Sequence, residues 1–354
     1  MKSLKSFGNF SLKQKFFLLA VLWLVLVSIP TISYWDEIDK QIGLYRFEQQ
    51  GLAPAQLMLN IIQRSQQHRA LTAAYLRDDA ATNAALKKER RAKAEELEET
   101  IVDLEDYARK IKNQKIEKAL AEVTADWHEI SQHVTVRDIS SEQSVQLHAD
   151  LIHKQFNTLQ MIVDSYQLSR DPEPAGNFLI APSLYTAPEL AEILAQFGVA
   201  GAIVLSQGEA NFSDRVELKS LMLLSQEKLL ELDSGIARAT TANPLAKESL
   251  QQAYAKTRQH YQSLMSIAQD EILSRGSFSY VLDDFNKVFN QGMDSYYDFM
   301  RFSITQMGDV LKKRIEMKQQ ELSTFALKIF LLTLLVICVS FWFVRKWLQK
   351  IHIS

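Results

Sequence analysis

Apolar and polar positions alternate along this chain in two distinct ways. From Phe16 to Trp35 the run FFLLAVLWLVLVSIPTISYW holds no charged residue, and Phe325 to Val344 (FALKIFLLTLLVICVSFWFV) holds only Lys328. Each run has the roughly 20 residues that a helix needs to cross a ~30 Å hydrocarbon layer. Residues 16–35 and 325–344 are therefore expected to be transmembrane helices, with Tyr34 and Trp35 at an interface and Lys328 reaching back to the head groups. The first run exceeds the apolar core of a cleaved signal peptide, so it reads as a retained anchor.

Between the two runs the period changes to that of amphipathic helices. Leu97, Ile101, Leu104, Ala108 and Ile111 step by three and four, and Ile116, Leu120, Val123, Trp127, Ile130 and Val134 repeat the pattern after Asn113. Both are seams of a helical bundle, and the charged positions of KKERRAKAEELEE read as a solvated helix face. Gly51 and Pro54 predict a helix start near Ala55 that runs to Arg77, followed by a turn over Asp78 to Thr82. A later helix should reach about Leu168. The Pro- and Gly-bearing segment SRDPEPAGN marks a boundary between two sub-bundles near 169–178. Pro188 suits the first turn of a helix carrying Leu190, Ile193, Leu194, Phe197 and Val204. Asn211 to Asp214 offer caps for the next helix, Asn243-Pro244 predicts another start, and Ser277 or Ser279 opens the last one. Long helices continuous with both apolar runs are expected, and no Asn-Gly or Asp-Gly hairpin signal occurs. The fold class expected is all-α: two transmembrane helices bracketing a region of two stacked antiparallel helical bundles.

Composition agrees with long helices, since 354 residues contain only 11 Gly, 7 Pro and 1 Cys. Net charge is −2 overall but is segregated. Lys2, Lys5, Lys13 and Lys15 precede the first run, and Arg345, Lys346 and Lys350 follow the second, with no acidic residue in either flank. Both termini, 1–15 and 345–354, are thus expected in the cytoplasm, and 36–324 outside it, as in a bacterial inner-membrane protein with a periplasmic domain. That loop carries all 42 acidic residues against 32 basic ones, a net charge of −10. This argues against nucleic acid as a partner. Cys338 lies inside the second run, so the loop has no thiol to form a disulfide.

Chemistry-bearing residues concentrate in QRSQQHRALTAAYL, where Arg64, His68 and Arg69 sit among Ile61, Ile62, Leu71 and Tyr75. Polar groups in such a setting need partners. Arg64 and His68 share a helix face, and Arg69 lies ~100° round from His68. The three form either a site for a small anion or polar ligand, which an Arg fork suits, or an internal network closed by acidic residues of a neighbouring helix. The pairs His128/His133 and His148/His153 are five apart, a spacing that does not chelate on one helix, so no metal is expected. No nucleotide-binding, nucleophile-elbow or zinc-protease motif occurs. Neither catalysis nor a cofactor is expected. Tyr254, Tyr261, Tyr296, Tyr297 and Phe299 read as core, and Arg301 as an inward or snorkelling cation.

The run EQQGLAPAQLMLNIIQRSQQHRALTAAYL, followed about a hundred residues on by SRDPEPAGNFLIAPSLYTAPELAEILAQFGVAGAIVLSQG, resembles the nitrate- and nitrite-sensing input domain of bacterial chemoreceptors, sensor kinases and diguanylate cyclases. The resemblance covers most of Asp36 to Thr324. It implies two stacked four-helix bundles and an oxyanion held between helices by Arg side chains, with Arg69 at the motif position and His68 beside it. The chain departs from the pattern at Phe197-Gly198-Val199, where the family carries Arg before the Gly. It also has only Arg345 to Ser354 after the second run, where relatives continue into an output module. The functional expectation is a receptor-like membrane protein, dimeric through membrane-proximal helices, whose output comes from a separate membrane partner or is lost by truncation. The alternative is a membrane-anchored interaction scaffold with no small-molecule ligand.

Overall fold

In the computed structural model of the chain, residues 12–77, 84–170, 178–244, 246–274 and 280–351 are described. Among them every regular element is helical, so the fold is all-α. The order is α1 (Leu12–Arg77), α2 (Ala84–Ile111), α3 (Gln114–Val136), α4 (Ser141–Ser165), α5 (Ala187–Gln207), α6 (Phe212–Ala242), α7 (Lys247–Ile267) and α8 (Leu282–Ile351). Short π-helical segments, Ala181–Thr186 and Ala268–Leu273, precede α5 and follow α7.

The chain divides into two compact units, Phe47–Leu311 and the segments Met1–Arg46 with Lys312–Ser354. In the second of these, Ile38, Ile42 and Tyr45 are buried, and the Arg314 guanidinium lies 5.6 Å from the Tyr45 ring centre. Tyr34 donates to Glu321 and packs on Phe325 at 4.3 Å between rings. Beyond these contacts the apolar side chains stand exposed, among them Phe17, Leu19, Leu26, Phe330, Leu335 and Phe341.

Three helices are long and apolar enough to cross a membrane: Phe17–Arg77, Phe178–Gln207 and Leu282–Lys346. The sequence reading expects two. None of the apolar window is buried in the first and third, whereas 61% is buried in Phe178–Gln207. That helix spends its hydrophobicity on the core, where Leu190, Leu194, Phe197 and Val204 are all buried.

In the Phe47–Leu311 unit the two seams pack as expected, with Leu97, Ile101, Leu104 and Ala108 facing inward on α2 and all six named residues of α3 buried. Asn113 caps α3 by accepting from the backbone N–H groups of Lys115 and Ile116. Reciprocal capping boxes, Ser140 with Gln143 and Asn211 with Asp214, start α4 and α6. In chain order α2 packs on α3 and α3 on α4, and later α5 packs on α6 and α6 on α7. Residues 171–177 themselves, the turn over Asp78 to Thr82, and Ser277 and Ser279 lie outside the described residues.

Several expected boundaries move. Gly51 and Pro54 do not start a helix, because α1 runs through them unbroken. Pro54 has no N–H for the Gln50 carbonyl, and the Tyr107 hydroxyl donates to that carbonyl instead, at 2.6 Å. At Gly51 a Cβ would lie 2.4 Å from Tyr166 Cβ, so the glycine lets Tyr166 seat against the helix. Pro188 stands in the first turn of α5, as expected, with the π-helical segment Ala181–Thr186 leading into it. A π turn in which Ala187 N–H reaches the Pro182 carbonyl carries the chain past both prolines. Asn243 closes α6 with its N–H on the Ala239 carbonyl rather than opening α7, which begins at Lys247. The helix expected to reach Leu168 ends at Ser165, and Leu168–Arg170 form one 3₁₀ turn.

Candidate functional site

The polar stretch of α1 does not form one site. It splits over three faces of the helix. Arg64 keeps 31% of its side chain exposed and pairs loosely with Glu96 of α2, 3.6 Å away. It does not join Arg69 or His68.

Arg69 is fully buried, and its counter-ion is built into the chain. Its Nη1 donates to Glu192 Oε1 at 2.6 Å and its Nη2 to Oε2 at 3.1 Å, a two-pronged bridge from α1 to α5. Two further donors complete the carboxylate, Gln66 Nε2 on Oε2 at 2.9 Å and Gln196 Nε2 on Oε1 at 2.8 Å. The Tyr297 hydroxyl of α8 donates in turn to Gln66 Oε1 at 2.8 Å. Burial pushes that hydroxyl well above the ordinary tyrosine range, and the nearby Glu192 charge adds to the effect, so it stays a donor. This polar layer ties α1, α5 and α8 together. Of the two readings open for Arg69, the structure has the internal network, and an external anion would have to displace Glu192.

His68 faces a third direction, toward α3 and α4. Its Nδ1 lies 2.8 Å from His148 Nε2, and His148 Nδ1 lies 2.7 Å from the Ser144 carbonyl. The carbonyl can only accept, so His148 carries its proton on Nδ1 and receives the Nδ1–H of His68 on Nε2. Both rings are therefore neutral. Burial lowers His68 well below the ordinary histidine value, with His148 and Arg90 adding to it, and burial lowers His148 to about 4. His68 Nε2 is left without a hydrogen-bond partner, and its ring meets Trp127 edge-on at 4.9 Å. Trp127 Nε1 donates to Glu98, which also holds His128. Gln155 and Ser65 add a further bridge between α4 and α1, at 2.8 Å.

Among the described residues no three His, Cys, Asp or Glu side chains gather as a metal site. Tyr254, Tyr261, Tyr296, Tyr297 and Phe299 are core. Tyr254 donates to Asp233 and Tyr261 contacts Ser225, so their hydroxyls serve packing. Arg301 is half-buried and donates to Gln63 at 2.9 Å and to Asp298 at 2.8 Å.

The sequence reading did not single out Glu192, Gln66, Tyr297 or His148 as partners, or Arg90 as buried. Glu192 carried a signal: it is a carboxylate between Ala191 and Ile193 in the apolar part of α5. Arg90 carried one too, because it stands seven residues before Leu97 on the buried seam of α2.

The element Phe197-Gly198-Val199 has a structural role. A Cβ on Gly198 would come within 2.3 Å of the Phe289 ring, and one on Gly201 within 2.8 Å of the Phe285 ring. These glycines let α8 close onto α5.

No family model and no curated protein matches this chain. Among solved structures, that of the NasR transcription antiterminator is similar, with a TM-score of 0.58 over 82% of this chain and 75% of that one. At 15% identity the likeness is one of fold alone.

Proposed function

We propose that the chain is a membrane-anchored, receptor-like protein whose helical region responds to a small polar ligand or anion. In this reading 16–35 and 325–344 span a bacterial inner membrane, the basic flanks keep both termini in the cytoplasm, and 36–324 is periplasmic. The observation that carries it is that α1 and α8 serve both regions. Each holds an unburied apolar window, and each contributes to the polar layer through Gln66 and Arg69 on α1 and Tyr297 on α8. A ligand that favours one arrangement of this layer would displace the two helices by ~1–2 Å relative to their neighbours. The signal passes to a separate membrane partner, and the active form is a dimer joined by membrane-proximal helices.

The test is thermal unfolding of the full chain in mild detergent against nitrate, nitrite, other small anions and amino acids. A ligand at ~100-fold over its Kd should add about 2.7 kcal/mol, a shift of several degrees. A flat response to every compound would refute the receptor reading.

A second reading, an interaction scaffold without a small ligand, draws on one feature of α6. Val216, Leu223 and Leu230 recur every seven residues on its outer face at 49%, 53% and 69% exposure, and Phe212 is 84% exposed. Co-purification of a stable membrane partner, lost in Leu223→Glu, together with no ligand response, would favour it.

A further inference from the structure

We infer that Arg90 anchors a small-oxyanion site beside Tyr75 and His68, distinct from the Arg69 layer and filled by no side chain among the described residues. Arg90 retains 3% of its surface, its Nε has no hydrogen-bond partner, and among the described residues no carboxylate pairs with it. Its one named contact is the ring of Tyr75, 5.0 Å from the guanidinium carbon. The contrast with Arg69, equally buried but met by Glu192 and its two amides, is sharp.

A buried cation without a counter-charge loses more solvation than a cation–π contact returns. Two local features deepen the deficit. The guanidinium of Arg137 lies over the same Tyr75 ring at 4.7 Å and adds positive potential, with its Nη2 donating to the Tyr75 carbonyl. His68, which the Arg90 charge helps keep neutral, offers an unpartnered Nε2 and no counter-charge. A guanidinium stacked on a ring uses its face and leaves the N–H edge, the fork that matches a planar oxyanion.

This rests on the receptor reading and assigns its ligand class and position. The experiment is thermal unfolding of the full chain in detergent, in a chloride-free buffer with a bulky sulfonate counter-ion. Nitrate, nitrite, formate, bicarbonate and a set of amino acids are added singly to the wild type, Arg90→Gln, Arg90→Lys and the Arg69→Met/Glu192→Leu double variant. The expected result is a saturable rise in Tm with at least one small oxyanion. That rise disappears in Arg90→Gln, weakens in Arg90→Lys and persists in the double variant. Without anion, Arg90→Gln should melt no lower than the wild type, since it removes an unpaired charge. Anion stabilisation that survives Arg90→Gln, or a lowered Tm of Arg90→Gln in the absence of anion, would overturn the site. A response to amino acids alone would overturn it while leaving the receptor reading in place, and no response to any compound would refute that reading as well.

Discussion

The bridge between Arg69 and Glu192 is the strongest test of the core as described. Glu192→Ala leaves a guanidinium with 0% exposure facing two amides and no negative charge. Breaking a buried pair in this way costs about 3–5 kcal/mol, because the surviving ion stays desolvated. For a helical unit of this size, each kcal/mol moves Tm by roughly 2–4 °C, so the variant should melt roughly 6–20 °C below the wild type. Arg69→Met strands the carboxylate instead, but Gln66 and Gln196 still donate to it, so its cost belongs at the lower end of that range.

The double variant Arg69→Met/Glu192→Leu removes both charges and fills both volumes with apolar atoms. The Gln66 and Gln196 amides lose an acceptor, while Gln66 still accepts from Tyr297. Its expected cost is about 2 kcal/mol or less, smaller than that of Glu192→Ala alone. Thermal and urea unfolding of the wild type, Arg69→Met, Glu192→Leu and the double variant, followed by circular dichroism in mild detergent, completes the cycle, with Glu192→Ala measured beside it. Single variants each costing under about 1 kcal/mol and adding up in the double variant would show that the bridge is not the desolvated contact described.

Three further outcomes follow from particular contacts. His148, lowered to about 4, and His68, also lowered, are neutral in the fold, whereas the unfolded chain protonates them below their ordinary value near 6.5. Stability should therefore fall as pH drops from about 6.5 toward 4, by about 3 kcal/mol for His148 alone, and a wild-type minus His68→Gln/His148→Gln difference that is flat from pH 7 to 4 would contradict this. Tyr107→Phe should cost about 1 kcal/mol by leaving the Gln50 carbonyl unpaired, and close to nothing in a Pro54→Ala background, where the restored N–H serves that carbonyl; equal costs in both backgrounds, read by urea unfolding, would rule out the substitution of donors. Gly198→Ala places a methyl within 2.3 Å of Phe289 and should lower stability by about 1–3 kcal/mol, relieved by Phe289→Leu; an unchanged Tm would mean that α8 does not close onto α5 there.

What the sequence made legible was governed by period and by length. The seams of α2 and α3, the cap at Asn211 and the two unburied apolar windows are local signals, set within one or two turns of the residues that carry them. At Pro54 a distant group altered what a local breaker does. Pro54 would interrupt an isolated helix, yet Tyr107, 57 residues beyond Gln50, supplies the donor for the stranded Gln50 carbonyl. Arg90 hid in a run of charges where solvation is the ordinary fate, and only its register with Leu97 and Leu104 betrayed its burial.

The candidate site was half legible for the same reason. An arginine among Ile62, Ser65 and Thr72 announces that it needs a partner, but nothing within α1 says whether that partner is a ligand or a carboxylate 123 residues away. The inward faces carry complementary charges, Arg69 on α1 and Glu192 on α5, and their cancellation closes the position that the motif alone suggested for an anion. Once that pair is set aside, Arg90 is a buried guanidinium over an aromatic ring, with no paired carboxylate among the described residues. The question of a ligand thus passes from the residue that carries the motif to the one whose charge has no answer among the described residues.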